Sequence, residues 1–258
     1  MPGQRLRIMS YNIQVGISTR HPHQYFTHSW KHVLPHSQRL VNLDRTAHLL
    51  KGYDIVGLQE VDAGSLRSNY INLTEYLAVE AGMPFWYHQV NRNLGRFAQH
   101  SNGLLSRYQP QEMRNITLPG LIPGRNAILA RYGTQDASLG VFIVHLALSK
   151  RARLRQLSHL SEVINEFDHA IFMGDLNCRA SSAELKLLFT RTRLREPLEE
   201  TLTFPSWRPR LHIDHIFVTP EIHVHKVHSL SSHPYSDHLP IAMEIDLPEN
   251  IRMRTLAA

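Results

Sequence analysis

Residues 170–178 read AIFMGDLNC, and the break inside this stretch decides the fold. Ala170, Ile171, Phe172 and Met173 form a short apolar run of the kind that makes a strand. Gly174 ends the run, and Asp175, Leu176 and Asn177 follow at once. On an extended segment Asp175 and Asn177 point to the same side. An ionisable group at such a place is costly unless it is paired or holds a metal. Strand ends are also where layered α/β folds put their ligands.

The same break recurs along the chain. The run 6–13 carries Asn12 near its end, 55–58 leads into Gln59 and Glu60, and 141–146 contains His145. Asp214 opens the run 214–218, and Ser236, Asp237 and His238 precede 241–245. Further strand patterns lie at 102–106 and 127–131. Helical spacing places Leu40, Leu43, Ala47 and Leu50 on one face of 38–50, and Leu154, Leu157, Leu160, Ile164 and Phe167 on one face of 154–167. Shorter helices are expected at 71–81 and at 182–190, the latter opened by Ser182. Many strands with a few helices between them give an α/β or α+β layered domain. Repeats and Pro/Gly/Ser linkers are absent, so 1–258 reads as one domain with its core at about 6–247.

Of the 258 residues, 42% are hydrophobic and 19% charged, which is ordinary globular composition. The one cysteine, Cys178, excludes an internal disulfide and fits a reducing compartment. The N-terminus lacks the apolar stretch of a signal peptide, and no window approaches the roughly 18 apolar residues of a membrane span. A soluble, cytoplasmic protein is expected. The formal net charge of +6 reads either as a soluble basic surface or as attraction to an anionic partner. That partner is nucleic acid, a phosphorylated small molecule or an anionic lipid surface. Basic residues cluster at 150–155 (KRARLR) and 191–195 (RTRLR). Residues 17–35, rich in histidine and aromatic side chains, form a long aperiodic loop, either a lid near the active site or an ordered insertion.

Read in order, the blocks are MSYNIQVG (9–16), GLQEVD (57–62), SNGLLSRY (101–108), VHLALS (144–149), MGDLNCRA (173–180), HIDHIF (212–217) and YSDHLPI (235–241). This ordered set resembles the endonuclease/exonuclease/phosphatase superfamily, DNase-I-like and AP-endonuclease-like, over residues 8–246. The TFPSW block at 203–207 is more similar to an uncharacterised bacterial branch than to the known nucleases. The resemblance implies a four-layer αββα sandwich of two mixed, mainly antiparallel sheets with outer helices.

It also implies roles. Glu60 holds a divalent metal, Asn12 ligates it or orients a ligand, and Asp237 reaches the same ion. Asp175 and Asn177 position and deprotonate the attacking water or hold a second metal. His145 bonds a phosphate oxygen, and Asp214 supports His145 or another active-site side chain. His238 pairs with a carboxylate and serves as general acid/base or phosphate contact. Asn102 and Arg67 are candidate substrate contacts. The hard oxygen donors suit Mg²⁺ or Mn²⁺. His212 stands where many members carry arginine. The activity expected is metal-dependent hydrolysis of phosphodiester bonds, in nucleic acid first, with phospholipid headgroups or small phosphorylated molecules as the alternative. A binding module without catalysis would lack a key residue, and none is missing.

Overall fold

The elements, in chain order, are β1 (Arg5–Asn12), α1 (Ser37–Leu50), β2 (Ile55–Asp62), α2 (Leu73–Ala81), β3 (Phe85–Asn93), β4 (Gln99–Ser106), β5 (Glu112–Thr117), β6 (Asn126–Gly133), β7 (Ser138–His145), α3 (Lys150–Ile164), β8 (His169–Asp175), α4 (Ala183–Arg191), β9 (Asp214–Val218), β10 (His223–Ser229) and β11 (Ile241–Asp246). They come from a computed structural model that describes residues 3–19, 21, 23, 37–120, 124–134, 137–197 and 201–255. Most of the 17–35 loop lies outside the described residues.

Two sheets form, in the orders β10-β11-β1-β2-β4-β3 and β5-β6-β7-β8-β9. The central pairs β1/β2 and β7/β8 are parallel and every other pairing is antiparallel. The expected architecture of two mixed, mainly antiparallel sheets with helices holds. Alternation along the strands sorts the core into three slabs. Leu6, Ile8, Val141, Ile143, Ile171 and Met173 meet between the sheets. Phe142, Val144, Ala170 and Phe172 face α3 and α4. Met9, Tyr11, Val56 and Leu58 face α1 and α2. Central strands covered on both faces read as unbroken apolar runs, which is why β8 stands out in the sequence.

Three strands escaped the sequence reading: β3, β5 and β10. All three lie at sheet edges. Their burial is patchy, with only Ile116 of β5 and Val227 of β10 fully covered. These three carry no apolar run because one flank and much of one face stay wet, whereas the edge strand β9 is buried throughout and was legible. Helix boundaries follow their caps. Asn72 accepts from Thr74 N and Glu75 N, so α2 begins at Leu73 rather than 71. Ser149 accepts from Ala152 N and starts α3 four residues earlier than the apolar stripe indicates. Ser182 caps α4 as expected. Leu40 is 38% exposed, so the buried stripe of α1 begins at Leu43. Among the described residues no helix is long and apolar enough to cross a membrane.

Candidate active site

The parallel pairs bring carboxyl ends of strands together at one end of the gap between the sheets. In register, Asn12 lies opposite Gln59, His145 opposite Asp175, and Asp175 opposite Asp214. Parity then aims the side chains. Asp175 shares the side of Ile171 and Met173, His145 that of Val141 and Ile143, and Asp214 that of Ile216, all toward the gap.

Glu60 reaches the gap by a different device. Alternation from Ile55 would turn residue 60 toward the helices. The β2/β4 register slips between Leu58 and Val61, and Glu60 takes a positive φ of 53°. Val61 accordingly packs on the helix side with Val56 and Leu58. One inserted residue thus re-aims the glutamate, the usual effect of a β-bulge. Asn177 also has a positive φ of 52°. Its backbone N–H donates to Asp175 Oδ1 at 3.0 Å and its amide to Leu146 O at 3.0 Å, closing the turn after β8.

Asn12 links two of the carboxylates. Its amide nitrogen donates to Asp175 Oδ2 at 3.1 Å and Glu60 Oε1 at 3.3 Å. Its carbonyl oxygen accepts from Gln14 N at 3.1 Å. Both ends of the amide are therefore engaged, and Asn12 fixes Asp175 and Glu60 relative to each other. Asp175 Oδ2 also lies 3.5 Å from His145 Nε2 and 3.8 Å from His238 Nε2. Both gaps are longer than a good direct hydrogen bond.

His238 is held by Asp214, whose Oδ2 and Oδ1 lie 2.9 and 3.1 Å from Nδ1. Asp214 therefore supports His238 rather than His145. Thr203 Oγ1 donates to Asp214 Oδ2 at 2.5 Å, and the Phe204 ring packs 4.8 Å from the imidazole. The neighbour Asp237 points elsewhere and accepts from Ser236 Oγ at 3.2 Å. No role for Thr203 or Arg125 was read from the sequence. The Thr203 hydroxyl and the Arg125 guanidinium sit in loops without periodicity, and only the fold brings them to the site.

The electrostatics separate the roles. Burial pushes Asp175 up to about 7, against the pull of His238. Burial opposes charging His238, but Asp214, Asp175 and Asp237 outweigh it and hold the imidazolium well above its ordinary range. His145 goes the other way: burial, then the positive charges of Arg125 and His238, keep it neutral. Burial and then the charge of Asp237 raise Glu60. A divalent cation beside Glu60 and Asp237 reverses that repulsion, and carboxylate and amide oxygens are hard donors. These residues fit such an ion. Asp175, Asp214 and His238 also bring one ligand atom each within 4.8 Å of one another, but Asp214 and His238 are already bonded to each other.

Two expected substrate contacts lie elsewhere. Arg67 is 1% exposed, and its Nε donates to Asp62 Oδ2 at 2.5 Å. A guanidinium sealed against its own carboxylate does not clamp a phosphate arriving from solvent. Asn102 is fully buried and donates to Asn126 O at 3.0 Å. Of the basic cluster 150–155, Arg153 turns inward to Glu184 at 2.7 Å. Arg151 and Arg155 instead line a groove of ≈ 570 Å³, together with Arg92, Arg125, His100, His145 and Glu60.

A family model described as the endonuclease/exonuclease/phosphatase family matches residues 9–238. The chain belongs to this family. It is a family of hydrolytic phosphoesterases and nucleases. In sequence, no curated protein is significantly similar. Solved structures share the fold. An endonuclease/exonuclease/phosphatase from Beutenbergia cavernae DSM 12333 superposes with a TM-score of 0.71 at 19% identity, covering 95% of this chain and 72% of that one. The mannosyl-6-phosphatase of Bacteroides thetaiotaomicron VPI-5482 gives 0.70 at 17%, covering 93% and 99%. A humanized D. rerio TDP2 gives 0.66 at 19%, covering 94% and 99%. At these identities the likeness is one of fold alone.

Proposed function

We propose that this family member is a Mg²⁺- or Mn²⁺-dependent phosphodiesterase acting on nucleic acid in the cytoplasm. The groove carries the reading. Four arginines, Arg92, Arg125, Arg151 and Arg155, line the cavity that also contains Glu60 and His145. A row of guanidiniums beside the reacting centre suits a substrate with several phosphates along a backbone.

Glu60 and Asp237 hold the ion in this reading and Asn12 fixes the angle of Glu60. The ion, when bound, neutralises charge on the phosphate. Asp175, poised near neutrality, accepts a proton from the attacking water, which Asn177 helps to place. Neutral His145 donates to a phosphate oxygen. His238, charged and with Nδ1 tied to Asp214, presents Nε2–H to the oxygen that gains negative charge.

The test is an end-labelled panel of single-stranded, duplex and abasic-site DNA and of RNA, with Mg²⁺ or Mn²⁺. Cleavage should disappear with EDTA and in His238→Ala, and affinity should fall steeply with salt, by roughly one counterion per phosphate contacted. Cleavage that survives in His238→Ala would sink the assignment. No cleavage, with turnover of a phospholipid headgroup or a small phosphate ester instead, would replace nucleic acid by the alternative substrate class.

A further inference from the structure

Asp214 and its neighbour His215 face opposite sides of β9. Asp214 looks into the gap between the sheets with Ile216, while His215 lies with Phe217 on the outer side, their rings 5.1 Å apart. There His215 meets His212, with ring centroids 4.2 Å apart, and Glu196. Glu196 arrives on the chain leaving α4, because Arg195 N donates to Val218 O at 2.8 Å and so lays that chain along the end of β9. One ligand atom from each of Glu196, His212 and His215 lies within 4.8 Å of the others.

From this geometry we infer a second metal site, formed by Glu196, His212 and His215 and selective for Zn²⁺ or a similar transition metal. The donor set is two imidazoles and one carboxylate. It suits borderline-soft ions, in contrast to the hard oxygen donors around Glu60. The hydrogen bonding of His215 has the form metal-ligating histidines take, one ring nitrogen tied to the protein and the other left for the ion. His215 Nε2 lies 2.9 Å from Cys178 O, where it can only donate, so Nδ1 carries the lone pair. That Nδ1 is buried and finds no hydrogen-bond partner among the described residues. An orphaned buried acceptor of this kind calls for an explanation, and a ligand supplies one. His212 packs against this ring, its own Nε2 3.3 Å from Thr201 Oγ1.

Three protein ligands leave one tetrahedral position for water. The ion ties the chain after α4 to the start of β9, one residue from the aspartate that holds His238. It is therefore a staple behind the active centre. The inference stands whether or not the chain cleaves phosphodiesters, because its readout is metal binding.

The experiment is Zn²⁺ titration of the full chain against a chromophoric chelator, in a Glu60→Gln background that weakens the first site. One Zn²⁺ equivalent should remain tightly bound, and Mg²⁺ should not displace it. Glu196→Gln, at a partly exposed position that tolerates the change, should weaken this binding about tenfold or more, and His212→Gln likewise. Co²⁺ in place of Zn²⁺ should give visible absorption that both variants lose. Zn²⁺ affinity unchanged in folded Glu196→Gln, or no Zn²⁺ retained in the Glu60→Gln protein, overturns the site.

Discussion

Both carboxylate oxygens of Asp214 lie within reach of one nitrogen of His238, at 2.9 and 3.1 Å, although 24 positions separate the residues in the chain. The aspartate next in sequence, Asp237, does not take this part: side chains at neighbouring positions diverge, and Asp237 accepts instead from Ser236. Thr203 completes the hold on Asp214. The imidazolium thus owes its charge, against burial, to Asp214 before any other group.

Asp214→Asn keeps the shape of this arrangement and removes the charge. Burial then pulls His238 toward neutrality. In the proposed reaction, kcat should fall by about 10²–10⁴-fold, the range of general acid–base catalysis, with KM little changed. Thr203→Val should act in the same direction and more weakly. NMR titration of the His238 ring provides the independent readout. A wild-type kcat together with an unmoved His238 titration would show that Asp214 is merely structural.

The same site makes stability depend on pH and on metal. Asp175 titrates near 7 in the native chain, up from an ordinary 3.8, so the native state holds a proton that the unfolded chain has released. Its contribution is present below 3.8 and is lost as pH rises through about 7. His238, also raised, contributes fully below 6.5 and loses that contribution higher still. The metal-free protein should therefore melt lower at about pH 9 than at about pH 7. Mg²⁺ or Mn²⁺ should restore Tm, by more at the higher pH, and Glu60→Gln should abolish the restoration. Calorimetry with and without EDTA measures this. A Tm gain of the same size in Glu60→Gln would place the ion elsewhere.

The sequence showed the central strands and most of the site for one physical reason. Strands β1, β2, β7 and β8 are buried on both faces, so Asn12, Glu60, His145 and Asp175 interrupt long apolar runs. Edge strands β3, β5 and β10 carry no such run and stayed hidden. The bulge at Glu60 left no mark either, since a register slip is a property of pairing. Arg67 deceived because a buried ion pair and a surface phosphate clamp have the same one-dimensional signature. Partnership was the hardest to read: that His238 belongs to Asp214 depends on a contact 24 residues away.

Gly174 sits between two strands with no room for a side chain. A Cβ there would lie 1.9 Å from Val144 O, and φ is +153°. Val144 and Gly174 are paired in register, one step before His145 and Asp175. Gly174→Ala must push β7 and β8 apart at the point where they deliver those two side chains. The expected loss is about 1–3 kcal/mol in urea unfolding, with turnover falling further than stability alone accounts for. Retained activity at full stability would mean that the strands part here without consequence.

Asp62 and Arg67 supply the final test, because they separate a structural ion pair from a substrate contact. Asp62 accepts from Ser65 N at 2.6 Å, Gly64 N at 3.0 Å, Gln99 N at 3.1 Å and the hydroxyls of Ser65 and Ser68 at 2.8 Å, besides Arg67. Burial works against its charge, but these donors and the guanidinium overcome it and draw Asp62 down to about 2. The contribution is thus present above 3.8 and is lost as pH falls through about 2. Asp62→Asn leaves Arg67 buried without its counter-charge and should destabilise the fold by about 3–5 kcal/mol. Arg67→Met, which keeps the stem and removes the charge, should also destabilise, yet leave substrate affinity unchanged at temperatures where it is folded. A raised KM in folded Arg67→Met would return Arg67 to the substrate, and the groove would then have to extend to the loop after β2.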